Sequence, residues 1–194
     1  MFYLKKILGF IIIVLLISCF TKQESNFNLQ EWQALDLKGN PVRLSELNYK
    51  KFAINVYSPD CIPCVKEIPT MNLLYAFFEP TKLYTIFLVV DPYDIIESEE
   101  TESFESIYPK AVARMNEEIQ NKKIELPVLI MKKPFRVSPM KQGLITGRPE
   151  TLLFKTYPLV LYYNFIGPIS EAIERKEIEK EPKVIFFKRM LGGI

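Results

Sequence analysis

A strand-like run, Phe52-Ala53-Ile54-Asn55-Val56-Tyr57, passes through Ser58-Pro59-Asp60 into Cys61-Ile62-Pro63-Cys64, and this cysteine pair opens an apparent helix, VKEIPTMNLLYAFFE. A C-x-x-C at a strand-to-helix junction serves three chemistries: half of a zinc site, a short structural bridge, or a redox dithiol. A structural zinc site wants four ligands, usually Cys and His. The chain has three cysteines and no histidine, so Cys61 and Cys64 cannot close one within a single chain. A purely structural bridge across so short a loop restrains little of the unfolded chain, because that stabilisation grows with loop length. The redox dithiol is the reading that remains strong. The missing histidine also removes the commonest general base. Proton transfer must then use carboxylates, thiols, lysines, tyrosines or water.

The third cysteine has another context. Lys5 and Lys6 precede an apolar run from Ile7 to Ile17, which ends Leu16-Ile17-Ser18-Cys19. A basic stretch before a short apolar one reads as a secretory signal. The run falls well short of the ~20 residues that span a bilayer. The ending looks like a bacterial lipobox, which implies cleavage before Cys19 and lipid attachment to its sulfur. Ile17 departs from that pattern, in which the residue two before the cysteine is more often small. An uncleaved short anchor and a soluble secreted protein are the alternatives. The expected division is a lipoprotein signal peptide over 1–18, a polar lipidated tether over 19–26, and one domain over 27–194. The domain is expected in the cell envelope, on the periplasmic or extracytoplasmic face, where disulfides persist.

The rest of the chain reads as a succession of short elements. ALDLKGNPVRLSEL suggests a hairpin turning at Gly39-Asn40, with Ser45 capping a short helical turn. Pro69 sits inside the first helix and should kink it. Leu83 to Val90 and Leu126 to Met131 read as buried strands. Between them, Phe104, Ile107, Val112, Met115 and Ile119 mark a helix that Pro109 interrupts. The acidic stretch SEETESFE reads as a solvated face. KKPFRVSPMKQGL reads as loop plus a turn of helix. Thr151–Phe154 and Leu159–Tyr163 form two strands joined by a tight turn at Lys155–Pro158. Ser170 is placed to cap a helix EAIERKEIEK, and VIFFKRML suits a last amphipathic turn or two. With 48% hydrophobic and 25% charged residues over 194 positions, the chain can fill one core, and a net charge of +2 without a basic run leaves no nucleic-acid footprint. Strand–helix–strand order followed by a hairpin suits parallel strands with an antiparallel pair appended.

This order, with C-x-x-C opening the first helix, resembles the thioredoxin fold. LDLKGNPVRLSEL, KFAINVYSPDCIPCVKEIPTMNLLY and GRPETLLF…VLYYNFIGPI are similar, in that sequence, to the TlpA/ResA/CcmG family of extracytoplasmic thiol–disulfide oxidoreductases. The likeness implies an α/β thioredoxin-like fold, a central mixed sheet flanked by helices, with an N-terminal β-hairpin extension. It implies that Cys61 is the attacking thiol and Cys64 the resolving one. It matches Pro149 to the family's proline with a cis bond before it, lying against the dithiol. Pro158 competes for that role but falls in the following turn. Glu67 matches a glutamate found after the C-x-x-C in some members; the bland alternative is a solvated helix residue beside Lys66. Oxidised protein substrates, an upstream membrane thiol reductase and a membrane contact through lipid are the implied partners, with no organic cofactor and no metal.

Two residues depart from the pattern. Family members usually carry tryptophan before the first cysteine, where this chain has Asp60. Asn55 stands where thioredoxin itself has a buried aspartate. A helix N-terminus favours the Cys61 thiolate, and Pro63 fits the first turn, where a missing N–H costs nothing. The negative charge of Asp60 opposes that thiolate. A moderate thiol pKa is therefore expected, and with it a reductant or mild exchanger. Glu67 is the candidate to accept the Cys64 proton. Two other functions stay open. A peroxiredoxin-type thiol peroxidase is suggested by Ser58, three before Cys61, but Ile54 stands where such an enzyme needs proline. A non-catalytic binding lipoprotein would account for Asp60 and the unusual middle segment.

Overall fold

The computed structural model describes residues 32–97, 102–132 and 145–193. The signal segment, Cys19 and the tether lie outside the described residues, as do 98–101 of the acidic stretch and 133–144 of the loop after Met131. Among the described residues, no helix is long and apolar enough to cross a membrane.

Seven strands form one mixed sheet: β1 (Gln33–Asp36), β2 (Pro41–Arg43), β3 (Lys51–Tyr57), β4 (Tyr84–Val90), β5 (Val128–Met131), β6 (Glu150–Thr156) and β7 (Leu159–Ile166). Their spatial order is β2-β1-β5-β4-β3-β6-β7. β3 pairs parallel with β4, and β4 with β5. β6 lies antiparallel to β3, and β7 antiparallel to β6. The N-terminal hairpin adds to the free side of β5, antiparallel to it. Its turn uses Gly39 at φ 88°, a conformation that only glycine adopts without strain. Pro41 lies in the outermost strand, where a missing N–H costs no ladder bond.

Because side chains alternate along a strand, each face of the sheet carries its own apolar cluster. One holds Ala53, Tyr57, Leu88, Val90 and Leu153. It receives the buried sides of three helices: α1 (Ile62–Phe78), α3 (Phe104–Lys122) and α5 (Pro182–Gly192). Phe78 and Phe187 are both fully buried and meet there at 6.4 Å between rings. Burial of each such ring is worth about 2–3 kcal/mol. The opposite face carries Phe52, Ile54, Val56 and Phe154, covered by Trp32, Leu44 and Ile145.

Several sequence expectations are corrected. Ser45 caps nothing: it lies within a short 3-10 turn, Leu44–Glu46, whose N-cap is Arg43. α3 runs unbroken through Pro109, capped by Ser103, whose hydroxyl accepts from the Ser106 N–H. Ser170 does not start a helix. Its hydroxyl accepts from the Ala172 N–H in a local turn, and within the expected helix only the short α4 (Arg175–Ile178) forms. A serine can bond its own backbone in this way in place of a helix. The strands of the last hairpin are also longer than the sequence suggested. A short helix, α2 (Pro92–Ile95), follows β4, capped by Asp91.

Candidate active site at the start of α1

β3 delivers the chain to the dithiol. Its last residues, Val56 and Tyr57, are buried, and three further residues carry the backbone to Cys61. Cys61 is the N-cap of α1, with extended φ −85° and ψ 96°. Its sulfur accepts the Cys64 backbone N–H at 3.2 Å. Pro63 occupies the first turn, where the N–H it lacks would have no helical partner. An anionic sulfur at this position would gain that amide and the positive end of the helix. Cys61 and Cys64 are joined by a disulfide, with Cα atoms 5.2 Å apart. The two sulfurs differ in access: Cys64 is buried at 1% exposure, while Cys61 is only partly covered. Ile62 stands between them, 68% exposed.

Helical periodicity then places Glu67 one turn after Cys64, on the buried face that continues through Ile68, Met71 and Leu74. The solvated reading of Glu67 is therefore wrong; it is fully buried. One carboxylate oxygen accepts the Ile169 N–H at 2.6 Å. The other accepts the Asn55 side-chain amide at 3.1 Å. Asn55 also donates to the Thr151 hydroxyl at 2.9 Å, its cross-strand neighbour on β6. Burial pushes the Glu67 pKa up to about 7, against the opposing effects of Ile169, Asn55 and the charge of Lys183, and with a small push from Glu171.

Pro149 is buried and immediately precedes β6. The register Val56↔Glu150 sets it at the C-terminal end of β3, the end from which the cysteine segment departs. The Arg148–Pro149 bond is cis, and so is Tyr157–Pro158. Position separates the two prolines. Pro158 closes the far end of the β6–β7 hairpin, about 20 Å away along a seven-residue strand. The Pro149 carbonyl accepts the Gly167 N–H at 3.0 Å, and Arg148 forms an ion pair with Asp94 of α2.

Asp60 is exposed beside Cys61. Lys66, next to Glu67, points away to an exposed ion pair with Glu171. Among the described residues, no group of three or more His, Cys, Asp or Glu side chains is placed to hold a metal ion. Sequence reasoning missed Glu150, which is fully buried and bonded to the loop before Pro149. An acidic residue heading an apolar strand was the only hint available. The arrangement presents one partly exposed cysteine at a helix N-terminus, a second buried behind it, and a carboxyl with a raised pKa one turn beyond.

No protein-family model matches the chain. The chain is similar to thiol-disulfide oxidoreductase ResA of Bacillus thuringiensis subsp. konkukian (strain 97-27), 28% identical over 130 residues, covering 60% of this chain and 75% of that one. It is also similar to ResA of Bacillus anthracis, 31% identical over 77 residues, 40% of this chain and 44% of that one. Among solved structures, a thioredoxin-family thiol:disulfide interchange protein of Chlorobium tepidum TLS is 18% identical, with coverages of 77% and 91% and a TM-score of 0.49. A solution structure from Bacteroides thetaiotaomicron is 12% identical, with coverages of 82% and 84% and a TM-score of 0.50, a likeness that concerns the fold alone.

Proposed function

We propose that this chain, a ResA/TlpA-like thioredoxin-fold thiol–disulfide oxidoreductase, reduces disulfides of exported proteins while a lipid on Cys19 holds it at the membrane. The observation that carries the catalytic part is the asymmetric pair at the start of α1. Cys61 is partly exposed and its sulfur accepts an amide, and Cys64 is buried behind it.

In the reducing direction the Cys61 thiolate attacks one sulfur of a substrate disulfide, and the other substrate sulfur leaves as a thiolate and takes up a proton. Cys64 then gives its proton to Glu67 and attacks the Cys61 sulfur. The second substrate sulfur departs, and the Cys61–Cys64 disulfide holds the two oxidising equivalents removed from the substrate. Another dithiol, on an upstream membrane thiol reductase, returns the two electrons. Glu67 suits its part because it follows Cys64 by one turn and is half protonated near neutral pH. Pro149, at the same end of the sheet, borders the groove that receives the partner's backbone.

Trapping tests this cycle. Cys64→Ser should stall as a mixed disulfide with its client, released by dithiothreitol, and Cys61→Ser should form none. The absence of any adduct from Cys64→Ser would leave a binding protein. Peroxide consumption by the wild type would make it a peroxidase. Cys19→Ala should move the protein out of the membrane fraction, and retention there would overturn the lipid anchor.

A further inference from the structure

Glu150 lies on the sheet face opposite the dithiol helix, directly after Pro149, and its carboxylate turns back toward the preceding loop. One oxygen accepts the Thr146 N–H at 2.7 Å, the Gly147 N–H at 2.9 Å and the Thr146 hydroxyl at 3.2 Å. The other accepts the side-chain amide of Asn164 on β7. Asn164 pairs with Leu152, so it is a diagonal neighbour of Glu150 on one face of an antiparallel pair. Burying a carboxyl group is costly unless its oxygens are satisfied. Three of the four donors here exist only when residues 146–147 take this conformation. Glu150 thus ties the loop's shape to the packing of β6 and β7. Arg148 and Asp94 hold the loop at its outer side, and Gly167 fixes the Pro149 carbonyl.

We propose that Glu150 is the positioning residue of the Pro149 loop: it pre-forms the surface that receives a protein substrate, without touching the reacting sulfurs. The inference rests on the reading of Pro149 as the border of the docking groove. A loop that must be ordered by each arriving substrate binds more weakly, whereas a small disulfide needs only Cys61. The role therefore separates large from small substrates.

The test uses the full-length chain in detergent, turned over by dithiothreitol, with insulin as protein disulfide and hydroxyethyl disulfide as small one. Glu150→Ala should raise KM for insulin about tenfold, the effect of one or two lost hydrogen bonds. Its kcat and its rate with hydroxyethyl disulfide should stay within about twofold. Glu150→Gln keeps an acceptor for the loop amides and should restore most of the loss. Should Glu150→Ala fail to fold, Thr146→Val removes a single donor and should shift KM for insulin alone, by about twofold to threefold. An unchanged KM for insulin in the folded variants, or equal losses with both substrates, would overturn the role. Pro149→Ala distinguishes the underlying reading: if it leaves insulin KM unchanged, the docking groove itself is misplaced.

Discussion

The Asn55 side chain donates to the Glu67 carboxylate at 3.1 Å, joining the central strand β3 to the helix that carries both cysteines. The same amide nitrogen bonds Thr151 on β6, so both of its hydrogens are committed. The resemblance to thioredoxin matches Asn55 to a strand aspartate. Here the buried acid comes from the helix, and the strand position supplies the donor that holds it.

Stability should carry the signature of Glu67. Its pKa is raised from 4.5 to about 7, chiefly by burial. The unfolded chain therefore loses this proton at lower pH than the folded one. Below about pH 4.5 the group costs nothing. The cost grows between 4.5 and 7 and is complete above 7, where it amounts to about 3 kcal/mol. In urea unfolding of the oxidised protein at pH 5 and pH 8, wild type should lose about 2–3 kcal/mol more than Glu67→Gln over that interval, because part of the cost is already present at pH 5. Equal losses would show that Glu67 titrates normally.

Resolution of the mixed disulfide should follow the same group. Its rate should rise with pH through a midpoint near 7. Glu67→Gln should slow it by about tenfold to a hundredfold, at or below the low end of what a positioned base supplies. Asn55→Ala removes a bond that favours the charged carboxylate and should move the midpoint upward. Stopped-flow rates of adduct decay across pH 5–9 measure all three. A midpoint unmoved in Asn55→Ala would uncouple Asn55 from the step.

The strand leading into C-x-x-C, the hairpin turn at Gly39 and the order of strands were legible because local pattern and tertiary structure agree there. The resemblance singled out Glu67, but its burial was not legible, since Lys66 beside it suggested a wet surface. The signal lay in the helical period instead: Cys64, Glu67, Ile68 and Met71 share one buried face. Ser170 misled because a serine that can cap a helix can equally close its own turn. Pro109 misled because a proline in the second turn of a long helix removes a single bond, and burial of Ile107, Ala111 and Met115 offsets that loss. Beyond its place at the head of an apolar strand, nothing local reveals Glu150, whose partners Thr146, Gly147 and Asn164 meet only after β6 and β7 pair.

Asp60 should make the dithiol modestly more reducing. It is exposed, so its charge acts on the Cys61 thiolate through solvent and is worth about 0.2–1 kcal/mol. Asp60→Asn should raise the reduction potential by about 5–20 mV, with a matching fall in the Cys61 pKa. The shift should shrink in 1 M salt. A lower potential in Asp60→Asn would reverse the assigned role of this charge.

The most direct test of a reducing dithiol is the reduction potential of the Cys61–Cys64 pair, measured by equilibration of the full-length protein with dithiothreitol or glutathione. A value near or below the ~−270 mV of thioredoxin is expected. A value near the ~−120 mV of DsbA would contradict it and make the protein an oxidant.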